Sequence, residues 1–375
     1  MKILHSGSLA ASTGGPAMST YLALWGLKQL GDEVSIIQYP LAEGDVMRGN
    51  EVTVHYASSP WEKKMLYSPR LKKEMLALGD FDVYHAQGIW QWPTYALASV
   101  ARMKNKPYLI SPRGMLYPQD IAKNNVLIKR LSLKLRLMKD LNEAACVHAT
   151  CMEEMKHCRD LGVTSPIAVI PNPVEIRDYS YKKEDAIRRI GYIGRLSPRK
   201  NVESLIYAFA ALGDLAKKAE LLIIGGGDLS YETFLRSEVE RLNLQNVRFA
   251  GFLNGEEKDR ALASCSVLAM PSEFENFGNV VVEGLVRSIP CIATHGSPWK
   301  ELSSRNCGWW VPYSQESITS AVGSALCKSD EELTQMGIRG RQLVEDCYSV
   351  ESVAVRMHAL YSWLMGDGEC PDFVL

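Results

Sequence analysis

Pro271-Ser272-Glu273-Phe274-Glu275-Asn276-Phe277-Gly278-Asn279-Val280-Val281-Val282-Glu283-Gly284 is the stretch from which the rest of the chain can be read. A short apolar run, Ser266-Val267-Leu268-Ala269-Met270, precedes it and predicts a buried strand. From Val280 to Arg287 the pattern predicts a helix, reached through a tight Phe277-Gly278 turn. A strand, a turn and a helix start make an anion pocket, because backbone N–H groups at a helix N-terminus have no intrahelical acceptor and point at bound phosphate. The backbone N–H groups of Phe277, Gly278 and Asn279 are the candidate phosphate donors, and Gly278 lets the backbone approach closely. Two carboxylates bracket the turn, Glu275 before it and Glu283 inside the helix. Like charges repel, so these carboxylates suit hydroxyl donors. One ligand carrying both phosphate and hydroxyls, a nucleotide sugar, satisfies both halves of the motif.

Outward from this stretch, short apolar strands alternate with helices almost throughout. Ile3-Leu4-His5, Val34-Ser35-Ile36-Ile37, Val83-Tyr84-His85, Tyr108-Leu109-Ile110, Cys146-Val147-His148 and Ile167-Ala168-Val169-Ile170 read as strands, with a helix from about Ala17 to Leu30. The rhythm restarts at Ile190-Gly191-Tyr192-Ile193 and continues through Leu221–Ile224, Val247-Arg248-Phe249, Val267–Met270 and Cys291-Ile292-Ala293. This alternation predicts two doubly wound parallel sheets. The expected division is an N-terminal domain over 1–175, a second over 176–355, and a C-terminal helix in 356–375 that packs back towards the first domain. Pro171-Asn172-Pro173 and the charged Lys182-Lys183-Glu184-Asp185 mark the join. Ligands of such sheets sit beyond the carboxyl ends of the strands, and with two domains the expected pocket is the cleft between them.

A chain of 375 residues is ample for two cores, and 46% apolar with 23% charged residues is ordinary for a globular protein. The net charge of −1 gives no overall attraction to nucleic acid. Its distribution is uneven: residues 61–141 hold ten Lys and five Arg against four Asp and two Glu. Solvated helix faces explain such a block as well as an anionic partner does. Within it, Lys123, Lys129, Arg130, Lys134, Arg136 and Lys139 interleave with Val126, Leu127, Leu131, Leu135 and Met138. An amphipathic basic helix of this kind can lie on an anionic membrane or turn one face into the core. The nine Cys are odd in number and contain no Cys-x2-Cys pair, which points to a reducing compartment and away from zinc. The opening reads as a strand rather than a signal peptide, and no apolar run is long enough to span a bilayer. The expected location is cytoplasmic, with any membrane contact peripheral on the inner face.

Several motifs have bland alternatives. Asp80-Phe81-Asp82 matches a metal-binding triplet but precedes a strand, where a metal site should follow one, so it reads as turn residues. Gly225-Gly226-Gly227-Asp228 lacks the spacing of a dinucleotide fingerprint and reads as a strand-to-helix turn with Asp228 as N-cap. His85 is read equally as a satisfied core histidine and as a residue of an acceptor site.

The motifs resemble, in order and spacing, the retaining glycosyltransferases of family four, which have the GT-B fold. Seven residues separate Glu275 from Glu283, as in that family's Glu-x7-Glu signature. Gly194-Arg195-Leu196-Ser197-Pro198-Arg199-Lys200 resembles its diphosphate clamp, Gly14-Gly15 its N-terminal glycine loop, and Ile170-Pro171-Asn172-Pro173 its hinge. Ser111-Pro112-Arg113-Gly114-Met115-Leu116 and Gly296-Ser297-Pro298-Trp299, with Cys307-Gly308-Trp309-Trp310, resemble a branch that makes bacterial capsule and exopolysaccharide. The resemblance implies an α/β protein of two Rossmann-like domains facing across a cleft, the first for the acceptor and the second for the donor. It implies that Arg195 and Lys200 stabilise charge on the leaving diphosphate, that Glu283 holds ribose, and that Glu275 faces the transferred sugar. Gly14, Gly15 and Gly194 join the donor-binding set, and His85 and Arg113 stand near the reacting centre. Where relatives carry His-x-His-Gly this chain has His85-Ala86-Gln87-Gly88, and Arg113 stands where relatives often have His. Arg cannot act as a base there. The donor implied is a UDP-sugar ahead of a GDP-sugar, with no cofactor and no metal. The acceptor implied is a glycan or a polyprenyl-diphosphate-linked oligosaccharide, with an anionic membrane surface as a further partner. A nucleotide-sugar epimerase of the same architecture and a non-catalytic nucleotide-sugar-binding protein are the alternatives.

Overall fold

The computed structural model describes residues 1–45, 51–123, 125–179, 181 and 185–375; the expected linker charges Lys182-Lys183-Glu184 lie outside them. The chain divides into two compact units, Met1–Glu175 with Ser349–Leu375, and Ile176–Tyr348.

The first unit is built on seven parallel strands: β1 Lys2–Ser6, β2 Glu33–Gln38, β3 Thr53–Tyr56, β4 Val83–Gln87, β5 Tyr108–Ser111, β6 Cys146–Ala149 and β7 Ile167–Val169. Their order is β3-β2-β1-β4-β5-β6-β7, so the direction of winding reverses between β1 and β4. Successive side chains point to opposite faces, and both faces are covered. Ile3, Val83 and Leu109 enter one core and Leu4, Tyr84 and Ile110 the other. Double coverage is why these strands appear as nearly unbroken apolar runs. The second unit has six parallel strands: β8 Arg188–Ile193, β9 Ala219–Ile224, β10 Val247–Gly251, β11 Val267–Met270, β12 Cys291–Thr294 and β13 Gly308–Val311. Their order is β10-β9-β8-β11-β12-β13, reversing between β8 and β11.

Two strands are additions to the sequence reading. Both β3 and β13 are outer strands and only partly buried: Thr53-Val54-His55-Tyr56 has no apolar run, and β13 has only the three residues Trp309-Trp310-Val311. The second boundary also moves, from 355/356 to 348/349. Ser349 caps the helix Val350–Leu364 by accepting from the Ser352 N–H, and Val350 and Val353 are buried in the first unit's core. That helix lies on the helix Gly15–Gln29 at Gly26, where an added Cβ would fall 2.7 Å from Val350 Cγ1 and 2.9 Å from Ala354 Cβ. The chain then closes the open edge of β7 through paired backbone bonds between Ile167 and Leu375, 2.9 Å each way.

Candidate functional site

In the second unit the site forms where the winding reverses. β8 ends at Ile193 and releases Gly194, Arg195 and the short turn Pro198–Lys200; its neighbour β11 ends at Met270 and releases 271–278. The two loops are tied together. Glu273 N–H donates to the Arg199 carbonyl (2.9 Å), Asn201 Nδ2 donates to the Pro271 carbonyl (3.3 Å), and the Arg199 guanidinium lies 4.7 Å from the Phe274 ring centroid. Lys200 Nζ forms an ion pair with Glu275 Oε1, and both side chains are mostly buried. The predicted clamp and the predicted acidic motif thus meet in one place. Arg195 is exposed. Asp228 caps the helix Leu229–Arg241; its carboxyl sits below the ordinary value through bonds from Ser230 and Tyr231 and the charge of Arg195.

Glycine sets this geometry at two positions. A Cβ on Gly225 would lie 1.8 Å from the Gly194 carbonyl oxygen, so the turn after β9 presses directly on the backbone that carries Arg195. Gly278 has φ of 79°, and a Cβ added there would fall 2.8 Å from Met270 Cε. It is the N-cap of the helix Asn279–Leu285, which starts one residue before the expected Val280. Among the described residues the buried N–H groups of Phe277 and Gly278 find no protein acceptor. The motif is buttressed from behind: Glu275 N–H donates to the Gly296 carbonyl (2.7 Å), and Trp299 Nε1 donates to the Phe277 carbonyl (2.5 Å). Glu283 projects from the helix to Lys258 Nζ, 2.6 Å away. Lys258 belongs to no motif, and sequence reasoning missed it; only folding brings the helix Gly255–Ala263 beside the acidic motif.

In the first unit, Gly14 (φ 71°) is the N-cap of Gly15–Gln29, with Pro16 in its first turn. His85 is fully buried in the sheet and faces neighbouring strands rather than an open site. It belongs to a polar chain that runs beneath the strand ends. His148 Nε2 lies 2.8 Å from the Ile170 carbonyl, which can only accept. Neutral His148 therefore accepts at Nδ1 from Ser111 Oγ (2.8 Å), which accepts in turn from His85 Nε2 (2.7 Å). His85 Nδ1 accepts from Tyr361 OH (2.8 Å), whose oxygen faces His5 Nε2 (3.4 Å). His5 Nδ1 accepts from Gln87 Nε2 (3.1 Å), and Gln87 Oε1 accepts from Arg113 Nε (2.9 Å) and Nη2 (2.7 Å). One proton order satisfies every member. It requires three neutral imidazoles, and burial supplies them. His5 falls to about 3, with the Arg113 charge adding to the effect. His148 falls to about 3 for the same two reasons, and His85 falls well below its usual value.

The basic segment shows two faces. Over Val126–Asn142, Leu137 and Leu141 are buried. On the other side Leu127 (82% exposed), Ile128, Leu131 and Leu135 (69%) face outward among the exposed Lys123, Arg130, Lys134 and Lys139. No helix among the described residues is long and apolar enough to cross a membrane. Asp80 and Asp82 lie at the start of β4, the end away from the site, where Lys104 Nζ meets Asp80 Oδ1 (2.6 Å) and Lys2 N–H meets Asp82 Oδ2 (2.8 Å). Among the described residues no group of three or more His, Cys, Asp or Glu is placed to hold a metal ion. None of the nine cysteines forms a disulfide, and six are buried.

Two family profiles match the chain in succession: "Glycosyl transferase 4-like domain" over residues 14–173 and "Glycosyl transferases group 1" over 177–343. An uncharacterized glycosyltransferase of Methanocaldococcus jannaschii is 25% identical over 90% of this chain and 88% of its own length. A GDP-mannose-dependent mannosyltransferase acting on a monoacylated phosphatidylinositol mannoside, from Corynebacterium glutamicum, is 31% identical, over 44% of each chain. Among solved structures, sucrose-phosphate synthase from Thermosynechococcus elongatus superposes with a TM-score of 0.78 at 19% identity, over 98% of this chain and 99% of that one. Anabaena HepE in complex with UDP and glucose gives 0.74 at 17% identity, over 96% and 99%. With both profiles matched in chain order, leaving only three residues between them, and with two parallel Rossmann-like sheets like those of its structural neighbours, the chain belongs to the GT4-type glycosyltransferases and has the GT-B fold.

Proposed function

We propose that this protein is a retaining, metal-independent glycosyltransferase that moves a sugar from a nucleoside-diphosphate sugar to a glycan or lipid-linked acceptor in bacterial surface-polysaccharide synthesis, of the capsule and exopolysaccharide kind. The observation that carries this reading is the Lys200–Glu275 contact at the reversal between β8 and β11. It joins a cationic loop to an acidic loop beside unpartnered backbone N–H groups. Arg195, Lys200, Gly194 and the N–H groups of Phe277, Gly278 and Asn279 receive the diphosphate. Charge that grows on the leaving oxygen is stabilised there by fixed cations and dipoles, which leaves no task for a metal. Glu283, steadied by Lys258, accepts from ribose hydroxyls. Glu275 faces the sugar ring. Gly14 and Gly15 open a helix start in the first unit that suits an anionic group.

In a retaining transfer the acceptor enters on the side the leaving group departs, and the departing phosphate oxygen takes the acceptor proton. No protein base is then needed. The neutral, fully engaged His85 and the permanently charged Arg113 fit that scheme. His85 serves as a positioning residue behind Arg113, which supplies charge near the acceptor. A UDP-sugar is the preferred donor, as UDP is the nucleotide in HepE; the mannosyltransferase relative is described with GDP-mannose instead. The outward apolar face of 127–135, flanked by cations, suits attachment to the anionic inner surface of a membrane carrying the acceptor.

Ligand-dependent melting across UDP-, GDP- and ADP-sugars tests the reading, because a bound donor stabilises the fold by mass action. One nucleotide series should raise Tm, with and without chelator. Donor hydrolysis, analysed for epimers, separates transfer from epimerisation. Stabilisation only when manganese is added would defeat metal independence, and no response to any nucleotide sugar would defeat the whole assignment.

A further inference from the structure

Arg113 sits at the end of β5 in an arrangement that a merely structural arginine does not need. Its backbone is left-handed (φ 57°), as is that of Gly114 after it (φ 78°). Non-glycine residues adopt this region at an energetic cost, and do so where the surroundings enforce it. Its guanidinium is held on three sides: by Gln87 Oε1, by Asn172 Oδ1 (2.6 Å from Nη1) and by Thr20 Oγ1 (3.5 Å from Nη2). Every one of these acceptors is neutral. Among the described residues no carboxylate makes an ion pair with Arg113. The carboxylate whose field reaches it, Glu154, is itself buried and already accepts from the Gly114 N–H, the Thr150 N–H and the Thr150 hydroxyl.

The neutrality is enforced. Gln87 must turn its amide NH2 towards His5 Nδ1, because the proton order fixed at the Ile170 carbonyl makes that nitrogen an acceptor. Its oxygen then faces Arg113. The imidazoles nearby are neutral as well. Buried cations are ordinarily paired, because an unpaired one is costly. Here a rigidly oriented cation has four of its five N–H groups spent on neutral oxygens and no carboxylate in contact, with Glu154 acting only at a distance. Arg113 lies at the carboxyl end of β5, next to β4 and the reversal point, and touches Thr20, one turn along the helix Gly15–Gln29, whose N-terminus adds positive potential.

We propose that Arg113 forms the floor of an oxyanion subsite in the first unit, and that the acceptor bound there carries a phosphate. This rests on the donor and acceptor reading given above and sharpens it: the acceptor is phosphate-linked rather than a neutral glycan. A carboxylate on the transferred sugar could present the same charge, and the experiment separates the two sources.

The probe is inorganic pyrophosphate, measured by calorimetry on the full chain carrying Arg195→Ala and Lys200→Ala, which removes the donor-side cations. Residual binding is expected in this background. Adding Asn172→Asp, which sets a carboxylate on the guanidinium with almost no change in shape, should weaken it at least tenfold. Asn172→Ala, which removes a contact but adds no charge, should change it less than threefold. Gln87→Glu neutralises Arg113 from its other edge and provides an independent readout if Asn172→Asp does not fold. Absence of residual binding, or equal binding by the Asp and Ala variants, overturns the subsite. In the otherwise wild-type chain, selective weakening of UDP-glucuronate over UDP-glucose by Asn172→Asp, with pyrophosphate unaffected, assigns the charge to the donor sugar and overturns the acceptor proposal. UDP affinity unchanged by Arg195→Ala with Lys200→Ala would instead defeat the donor reading and leave the subsite standing.

Discussion

At the scale of single residues, the site depends on which charges are already paired. Arg195 is exposed, while Lys200 is held by Glu275. Arg195→Ala or Lys200→Ala should lower turnover about tenfold to a thousandfold, roughly 1.4–4 kcal/mol in the barrier, in protein that remains folded. Steady-state kinetics on purified variants checks this, and wild-type turnover would remove either residue from the mechanism. The two glutamates should separate. Glu283→Ala should weaken the free nucleoside diphosphate and the sugar donor alike, by roughly 1–3 kcal/mol for lost charged hydrogen bonds, and it leaves Lys258 unpaired. Glu275→Ala should leave the bare nucleotide nearly unchanged while reducing transfer and blurring selectivity between sugars. Calorimetry with both ligands decides it; equal losses of bare-nucleotide affinity would refute the division of labour. Arg195, Lys200, Glu275 and Glu283 stand out in the sequence because short motifs fix their spacing. Lys258 does not, since its place beside Glu283 exists only after folding.

At the scale of elements, loops acquire function through close backbone approach. The turn after β9 has no room for a side chain, because a Cβ on Gly225 would collide with the Gly194 carbonyl. Gly225 also has φ of 142°, where other residues are strained. Gly225→Ala should therefore displace the Arg195 loop and cut donor affinity, while the rest of the unit, measured by far-UV circular dichroism, stays intact. Unchanged donor binding would show that the loop tolerates the shift. Gly26→Val is the parallel case between two helices: it should destabilise the first unit by about 1–3 kcal/mol through overpacking, read as a lower urea midpoint. Elements covered on both faces, such as β4, β5 and β11, were legible as apolar runs. The outer strand β3 was not, because partial exposure removes the signal, and β13 offers only the short run Trp309-Trp310-Val311. The sequence reading places the first six residues of the last helix, 350–355, in the second unit, because its cap and its apolar face look the same whichever core receives them.

At the scale of the molecule, the buried polar chain predicts a proton balance. His5 and His148 have folded values near 3, and His85 lies well below its usual value; unfolded, each returns to about 6.5. The unfolded chain binds more protons between those limits, so stability is present above pH of about 6.5 and is lost as pH falls towards 3. Unfolding at pH 5.5 should take up about three protons, measurable by calorimetry in buffers of different ionisation enthalpy; uptake near zero would mean that the histidines are already charged in the native state. By itself the sequence determined the class of fold, the two-domain division and the cationic and acidic motifs of the second unit, because these reside in periodicity and short-range spacing. Tertiary structure alone decided that Lys200 meets Glu275 across 75 positions, that His85 is a core histidine tied through Tyr361 to the last helix, and that the side chains gripping the Arg113 guanidinium are neutral. Those facts depend on which strands become neighbours and which side chains are shut away from water, and neither is written in local sequence.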